Sequence, residues 1–309
     1  MAAPFQTYDA VGNREDLTDV IYDISPTETP FISTVGKGKA KATYHEWQTD
    51  NLADASVDNA VVEGADAEFQ DLAPTTRLGN YTQILRKTVQ VSHTQDAVDK
   101  AGRNKETAYQ LTKAAKEIKR DLEMTALSNN TKDAGTDSTP RKMAGLQTWL
   151  ETNYVGSGTA GSNGDTARVD GTPADFTEDD LKDAVRKAFE QGGTPSMLLV
   201  TPHCKQVVST FTGIAGQRYQ APKSSPTTII GAADVYLSDF GTLSVVPDRF
   251  IPDEVAFVLD PTMFEMDYLR PFKQEALAKT GDSTKHMMLT EVTLKVKNEA
   301  SSAIVADLN

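Results

Sequence analysis

Leu78-Gly79-Asn80-Tyr81-Thr82-Gln83-Ile84-Leu85-Arg86-Lys87-Thr88-Val89-Gln90-Val91-Ser92-His93 is the stretch on which the fold turns. Tyr81, Leu85, Val89 and Val91 share one face of an extended chain, with Asn80, Thr82, Arg86, Thr88 and Gln90 on the other. That is the alternation of a half-buried strand. Upstream, residues 43–49 carry Tyr44 and Trp47 among polar neighbours and read as a second strand. Between the two runs lie seven carboxylates, Asp50, Asp54, Asp58, Glu63, Asp66, Glu68 and Asp71, with no Lys or Arg. A segment of this composition repels itself and stays solvated. The plain alternative is a structureless surface loop, but about 20 such residues inside a compact domain are uncommon. The reading is a long hairpin with an acidic tip. Two strands alone are marginal in water, so it needs a surface of its own domain or of another subunit.

At 309 residues the chain can hold one large domain or two ordinary ones and bury a real core. A formal net charge of -13 argues against sequence-independent nucleic-acid binding, which needs a surplus of Lys and Arg on phosphate. One cysteine, Cys204, excludes an internal disulfide framework and a cysteine-built structural zinc site. Met1-Ala2-Ala3-Pro4-Phe5 has neither a basic nor an apolar signal region, and no window approaches ~18 consecutive apolar residues. A soluble protein with no membrane partner is expected.

Residues 1–42 read as an arm. Leu17, Val20, Ile21 and Ile24 have helical spacing, and Pro26 and Pro30 then stop the helix and hold the chain extended. Gly36-Lys37-Gly38-Lys39 lacks the spacing of a phosphate loop and reads as a basic, flexible hinge. Over residues 96–128 the positions Ala108, Leu111, Ala115, Ile118, Leu122 and Thr125 step by three and four, predicting one long helix with a narrow apolar stripe, started or kinked at Gly102.

Residues 156–171 are rich in Gly, Ser, Asn and Asp and read as a flexible loop. Thr177 caps a helix whose buried stripe is Leu181, Ala184, Val185, Ala188 and Phe189, ended by Gly192-Gly193. Met197-Leu198-Leu199-Val200 is the continuous apolar run of a fully buried strand, and a helix follows Pro202. Short strands near 234–237, 243–246 and 254–259 complete a mixed α+β unit. Val292, Leu294 and Val296 alternate with Thr293 and Lys295, and 303–305 reads as a last short strand, so the chain is expected to begin and end outside its middle domain.

Chemical constellations are scarce. Gly156-Ser157-Gly158-Thr159-Ala160-Gly161 matches the dinucleotide fingerprint, but no buried strand precedes it and no apolar helix follows. His203 and Cys204 are adjacent, a poor geometry for a nucleophile and its base, so a buried, inert thiol is expected and a Cys-dependent hydrolase is the remote alternative. His45, His93, His203 and His286 lack the pairing of helical metal sites, and the acidic tip lacks the spacing of a calcium loop, although its charge density could hold a cation. No cofactor, metal or catalytic residue is assigned. Lys39 or Lys41 could form an isopeptide bond with an Asn of another subunit.

Several runs, in order, carry a resemblance. Asp16-Leu17-Thr18-Asp19-Val20-Ile21 leads through Ser25-Pro26-Thr27-Glu28-Thr29-Pro30-Phe31 to Val62-Glu63-Gly64-Ala65. Asn80-Tyr81-Thr82-Gln83-Ile84, a helix ending Lys119-Arg120-Asp121-Leu122-Glu123, and Lys279-Thr280-Gly281-Asp282-Ser283-Thr284-Lys285 ahead of the strand 291–299 complete the series. Together they resemble the major capsid (head) proteins of tailed bacteriophages over the whole chain, least in the glycine-rich loop.

The resemblance implies an α+β, HK97-like capsid fold: N-terminal arm 1–42, extended loop 43–95, peripheral domain 96–143 with a spine helix, axial domain 144–262, returning strands 263–298 and C-terminal strand 299–309. It also implies hexamers and pentamers closing into an icosahedral shell around double-stranded DNA that is enclosed without tight binding. Portal, scaffolding and decoration proteins are implied partners, with assembly in the host bacterial cytoplasm and a final place in the virion. No charged helical segment precedes the arm, so a separate scaffold, or prior removal of that segment, is expected. Trp47, Tyr81 and Leu85 are candidate loop contacts between subunits, with Glu63, Asp66 and Glu68 at the tip. Pro26, Pro30 and Phe31 are arm anchors, and Leu111, Ile118 and Leu122 the packed face of the spine helix. An encapsulin-like compartment enclosing cargo enzymes is the alternative within the fold.

Overall fold

Period-two burial along the short apolar runs sets the architecture. The computed structural model describes residues 28–53, 55–67, 69, 74–98, 105–211 and 235–309. Its N-terminal part comprises α1 (Pro30–Thr34), β1 (Gly36–Lys39), β2 (Tyr44–Thr49), β3 (Thr76–Tyr81), β4 (Gln83–Ser92), α2 (His93–Ala97) and α3 (Glu106–Ala126). A middle part holds β5 (Tyr154–Val155), α4 (Glu178–Glu190), β6 (Met197–Val200), α5 (Pro202–Val208), β7 (Val235–Ser238), β8 (Gly241–Pro247) and β9 (Ala256–Leu259). Two long strands, β10 (Phe264–Ala276) and β11 (Ser283–Val296), and the short β12 (Ala303–Val305) follow. The expected helix at 16–24, Pro26, Glu68 and the break at Gly102 lie outside the described residues.

Among the described residues three sheets result: four strands in the order β1-β10-β11-β4, six in the order β5-β12-β9-β6-β8-β7, and a two-stranded ribbon β2-β3. In β6, Met197 and Leu199 face one core while Leu198 and Val200 face another, and in β9 Phe257 and Leu259 divide from Ala256 and Val258 in the same way. The six-stranded sheet is therefore covered on both sides, as continuous apolar runs require. One core, with Leu181, Val185, Cys204 and Tyr236, lies under α4 and α5. The other joins that sheet to α1, α3, the ribbon and the four-stranded sheet through Phe31, Trp47, Leu122, Trp149, Phe264 and Leu294.

Several expectations change. The strand from 78 to 93 is two strands: β3 pairs with β2 in the ribbon, and β4 leaves it to pair with β11. The ribbon pairs only Tyr44–Thr49 with Thr76–Tyr81. Pro30 does not extend the chain; it opens α1, where its missing N–H costs nothing. Gly36–Lys39 is no hinge but a strand parallel to β10. A Cβ on Gly38 would sit 1.9 Å from Asp267 Oδ1, so glycine is required for that approach. α3 is shorter than the predicted helix, and its buried line runs Ala114, Ile118, Leu122, Ala126 rather than through Ala108, which is exposed. Leu111 is half-buried, as is Thr125. Phe189, placed on the buried stripe of α4, is exposed and stacks on Phe240 at 4.7 Å. The C-terminal part does not end outside the middle domain, because β12 sits between β5 and β9.

Candidate functional site

The ribbon is built from its aromatic residues. Tyr44 faces Tyr81 with ring centroids 4.6 Å apart, and Trp47 pairs in register with Leu78. Trp47 then packs against Trp149 of the body at 5.5 Å. His45 Nε2 lies 2.7 Å from the buried Asp267 carboxylate on β10. At the point where β3 becomes β4, Asn80 is fully buried: it donates to the Leu294 carbonyl at 2.8 Å and accepts the Ala144 amide at 2.9 Å. Thr82 donates to Glu291 at 2.8 Å, and that carboxylate also takes Arg141 at 2.6 Å and Arg270 at 2.7 Å. The sequence pattern put Asn80 and Thr82 on the solvated face; both are buried.

Beyond this anchored base the tip stands clear of the body. Leu52, Val57 and Phe69 are 97–98% exposed, with Val61 at 84% and Val62 at 80%. Asp50, Asp58, Glu63 and Asp66 are exposed among them. The turn closes with the Ala65 amide on the Val62 carbonyl, and Gly64 adopts a φ of +82°, which favours glycine. Burying one such Leu, Val or Phe is worth about 1.5–3 kcal/mol, so five of them held in water form a surface made to be covered.

The candidate contacts therefore divide. Glu63 and Asp66 are exposed on the tip, and Pro30, Tyr81 and Leu85 are half-buried. Trp47, a candidate loop contact, and Phe31, a candidate arm anchor, are both buried within their own chain. Phe31 packs edge-on against Phe264 at 6.2 Å. The five apolar tip residues were missed because they follow no helical or strand period; the available signal was apolar residues scattered through an acidic run.

One polar side chain ties the α1 backbone to α3. Glu123 of α3 accepts the Phe31 amide at 2.6 Å and the Ile32 amide at 2.9 Å, and it is fully buried. Ile118 and Leu122, on the same helix, lie in the core beside it.

The glycine-rich segment is organised rather than loose. Asp307 accepts the amides of Ser157, Gly158 and Gly171, the Tyr154 hydroxyl and the Arg168 guanidinium, all at 2.7–3.0 Å. Burial alone would push its carboxyl up, but these amides and the Tyr154 hydroxyl outweigh it and hold it at about 2. The Ser157 and Gly158 amides of the fingerprint-like run are thus occupied by a carboxylate of the protein itself. Cys204 is 1% exposed and burial pushes its thiol up, the setting of an inert cysteine. Among the described residues no group of three or more His, Cys, Asp or Glu could hold a metal ion, and no helix is long and apolar enough to cross a membrane.

Comparison with known proteins gives a consistent set of similarities. The family described as SU10 major capsid protein matches residues 4–309. The major capsid protein of Escherichia phage Phieco32 is 29% identical over 345 residues, covering 99% of this chain and 97% of that protein. Among solved structures, the capsid of cyanophage A-1(L) superposes with a TM-score of 0.70 at 12% identity, covering 98% of each chain. The holo-SrpI encapsulin complex of Synechococcus elongatus PCC 7942 gives 0.58 at 11% identity, covering 96% of this chain and 93% of that one. At these identities the structures speak for the fold, which is HK97-like.

Proposed function

The chain belongs to the SU10 major capsid protein family and is the major capsid protein of a phage, and from that premise we propose that its mechanism is self-assembly: copies join as hexamers and pentamers into an icosahedral shell enclosing double-stranded DNA. The observation that carries this is the tip of the ribbon, where Leu52, Val57, Val61, Val62 and Phe69 stand in water on a firmly anchored base. Each tip lies across a neighbouring copy and buries those residues there, within an interface of obligate size. Pro26 and Pro30 set the course of the arm, and Glu63, Asp66, Glu68, Tyr81 and Leu85 contribute at the edges of the loop contact.

In this reading 1–42 is the arm, 43–95 the extended loop, 96–143 and 263–298 the peripheral domain, 144–262 the axial domain and 299–309 the C-terminal strand. The net charge of -13 suits a container that encloses DNA without gripping it. Portal, scaffolding and decoration proteins are its partners, it carries out no catalysis, and assembly takes place in the host bacterial cytoplasm.

Negative-stain microscopy with size-exclusion chromatography tests the reading, on the chain alone and coexpressed with its gene neighbours. Closed shells or six- and five-membered rings support it; compact monomers under every condition sink it. A compartment enclosing enzymes has the same fold, as the encapsulin superposition illustrates, and shells that contain protein cargo in place of nucleic acid would favour that reading.

A further inference from the structure

Glu123 and Asp248 come together where three parts of the chain meet: α1, α3 and the turn that follows β8. Glu123 is fully buried and Asp248 is 2% exposed. Both Glu123 oxygens face arm amides, at 2.6 Å and 2.9 Å. Asp248 Oδ1 accepts the Phe250 amide at 2.8 Å, while its Oδ2 is buried with no hydrogen-bond donor among the described residues. Two neighbouring carboxylates cannot both stay charged at such a site without a cation between them.

The cations around it do not fill that role. α1, Pro-Phe-Ile-Ser-Thr, has no titratable side chain. From the turn come Asp248 itself and Arg249, which is exposed. From α3 come Lys119, exposed, and Arg120, whose guanidinium lies 5.5 Å over the Phe250 ring and whose Nε has no acceptor among the described residues. A proton on Glu123, donated to Asp248 Oδ2, gives the orphaned oxygen its partner and leaves lone pairs for the two arm amides.

We propose that Glu123 and Asp248 share a single proton and form a pH-operated joint between the arm helix, α3 and the six-stranded sheet, closed while the proton is held and opened when it leaves. Burial above all, with the charge of Asp248 adding to it against the pull of the Ile32 and Phe31 amides, raises Glu123 to about 8. Burial raises Asp248 as well. The folded chain thus keeps a proton that the unfolded chain gives up in the ordinary carboxylate range. The stability contributed by the pair is full below that range and falls as pH rises toward about 8. The joint lies within one subunit and stands whether or not the tip contact forms.

Amide hydrogen exchange on the full chain, with labelling times scaled to the intrinsic rate at each pH, reads the joint at residues 30–35 and 248–251. Between about pH 5.5 and 8 the native chain loses about tenfold or more in protection at both segments, about one decade per pH unit for the one proton released. Glu123→Gln keeps an acceptor for the arm and a donor for Asp248, so its protection stays level over the same range. Asp248→Asn removes the second charge but leaves Glu123 buried, so its loss of protection is smaller than the native chain's, and it carries the test if the first variant does not fold. A level profile in the native chain, or an undiminished loss in both variants, overturns the proposal.

Discussion

The indole of Trp47 lies against that of Trp149, ring centroids 5.5 Å apart and planes inclined by 40°, so the ribbon is fastened to the body by an aromatic pair. Trp47→Ala leaves a cavity in that seam and is expected to cost about 3–5 kcal/mol. Equilibrium urea unfolding with an unchanged slope and a lowered midpoint is the expected result; a change under about 0.5 kcal/mol would mean the contact is incidental.

The tip should behave in the opposite way. Replacing Leu52, Val61, Val62 and Phe69 together by Ser touches residues that meet water on nearly every side. The isolated subunit should unfold within about 0.5 kcal/mol of the parent, the range of ordinary surface changes. Its assembly, followed by light scattering and microscopy, should be abolished. Intact shells from this variant would remove the tip as the main contact.

Asp307→Ala strips the acceptor from three amides and removes one partner of the buried Arg168, which keeps Asp170 at 2.6 Å, at an expected cost of about 1–3 kcal/mol. Its pH dependence has a definite sign. With a folded value of about 2, below the ordinary Asp range, its contribution is present above that range and is lost as pH falls through about 2. The parent should therefore lose more stability than the variant in that acid window, as thermal melts at a series of pH values would record. Asp183 and Glu265, also held low against burial by their lysine and arginine partners, are common to both.

Along α3 the buried line predicts a graded series. Ile118→Ala and Leu122→Ala, both at or below 1% exposure, should cost about 2–5 kcal/mol each. Leu111→Ala, half-buried, should cost about 1 kcal/mol, a typical figure for a substitution outside these severe classes. Chemical denaturation orders the three; equal losses would mean that the helix packs on its neighbours along its whole length.

Local chemistry was legible where partners are near in sequence. Thr177 and Asp180 form the reciprocal cap that opens α4, and Gly192, at a φ of +80°, follows its end. Met197–Val200 is the buried strand its apolar run requires. What could not be read depends on distant partners. Asn80 looks like a solvated strand residue until Leu294 and Ala144 are beside it, and residues 156–171 look loose until Asp307 arrives from far along the chain. Gly36–Lys39 becomes a strand only because β10 offers an edge. β10 itself hides its period behind Pro271, which falls where the register with β11 shifts between Arg270 and Lys273. In the candidate site, the charges of the tip were plain from composition, but the ownership of Trp47 and Phe31 was not: aromatic residues pack alike on a neighbour or at home.

The place of β12 between β5 and β9 has a consequence for how the subunit is made. A ribosome adds about 5–20 residues each second, so β5 and β9 both emerge before the strand that joins them. Until Ala303–Val305 is released, β9 keeps an unpaired edge bearing Ala256, Phe257, Val258 and Leu259, a surface that holdase chaperones would recognise. Messages cut short before that codon yield chains with an open sheet and no Asp307 to close the glycine-rich segment. Such products should be cleared by proteases in preference to chains in which β12 has closed the sheet.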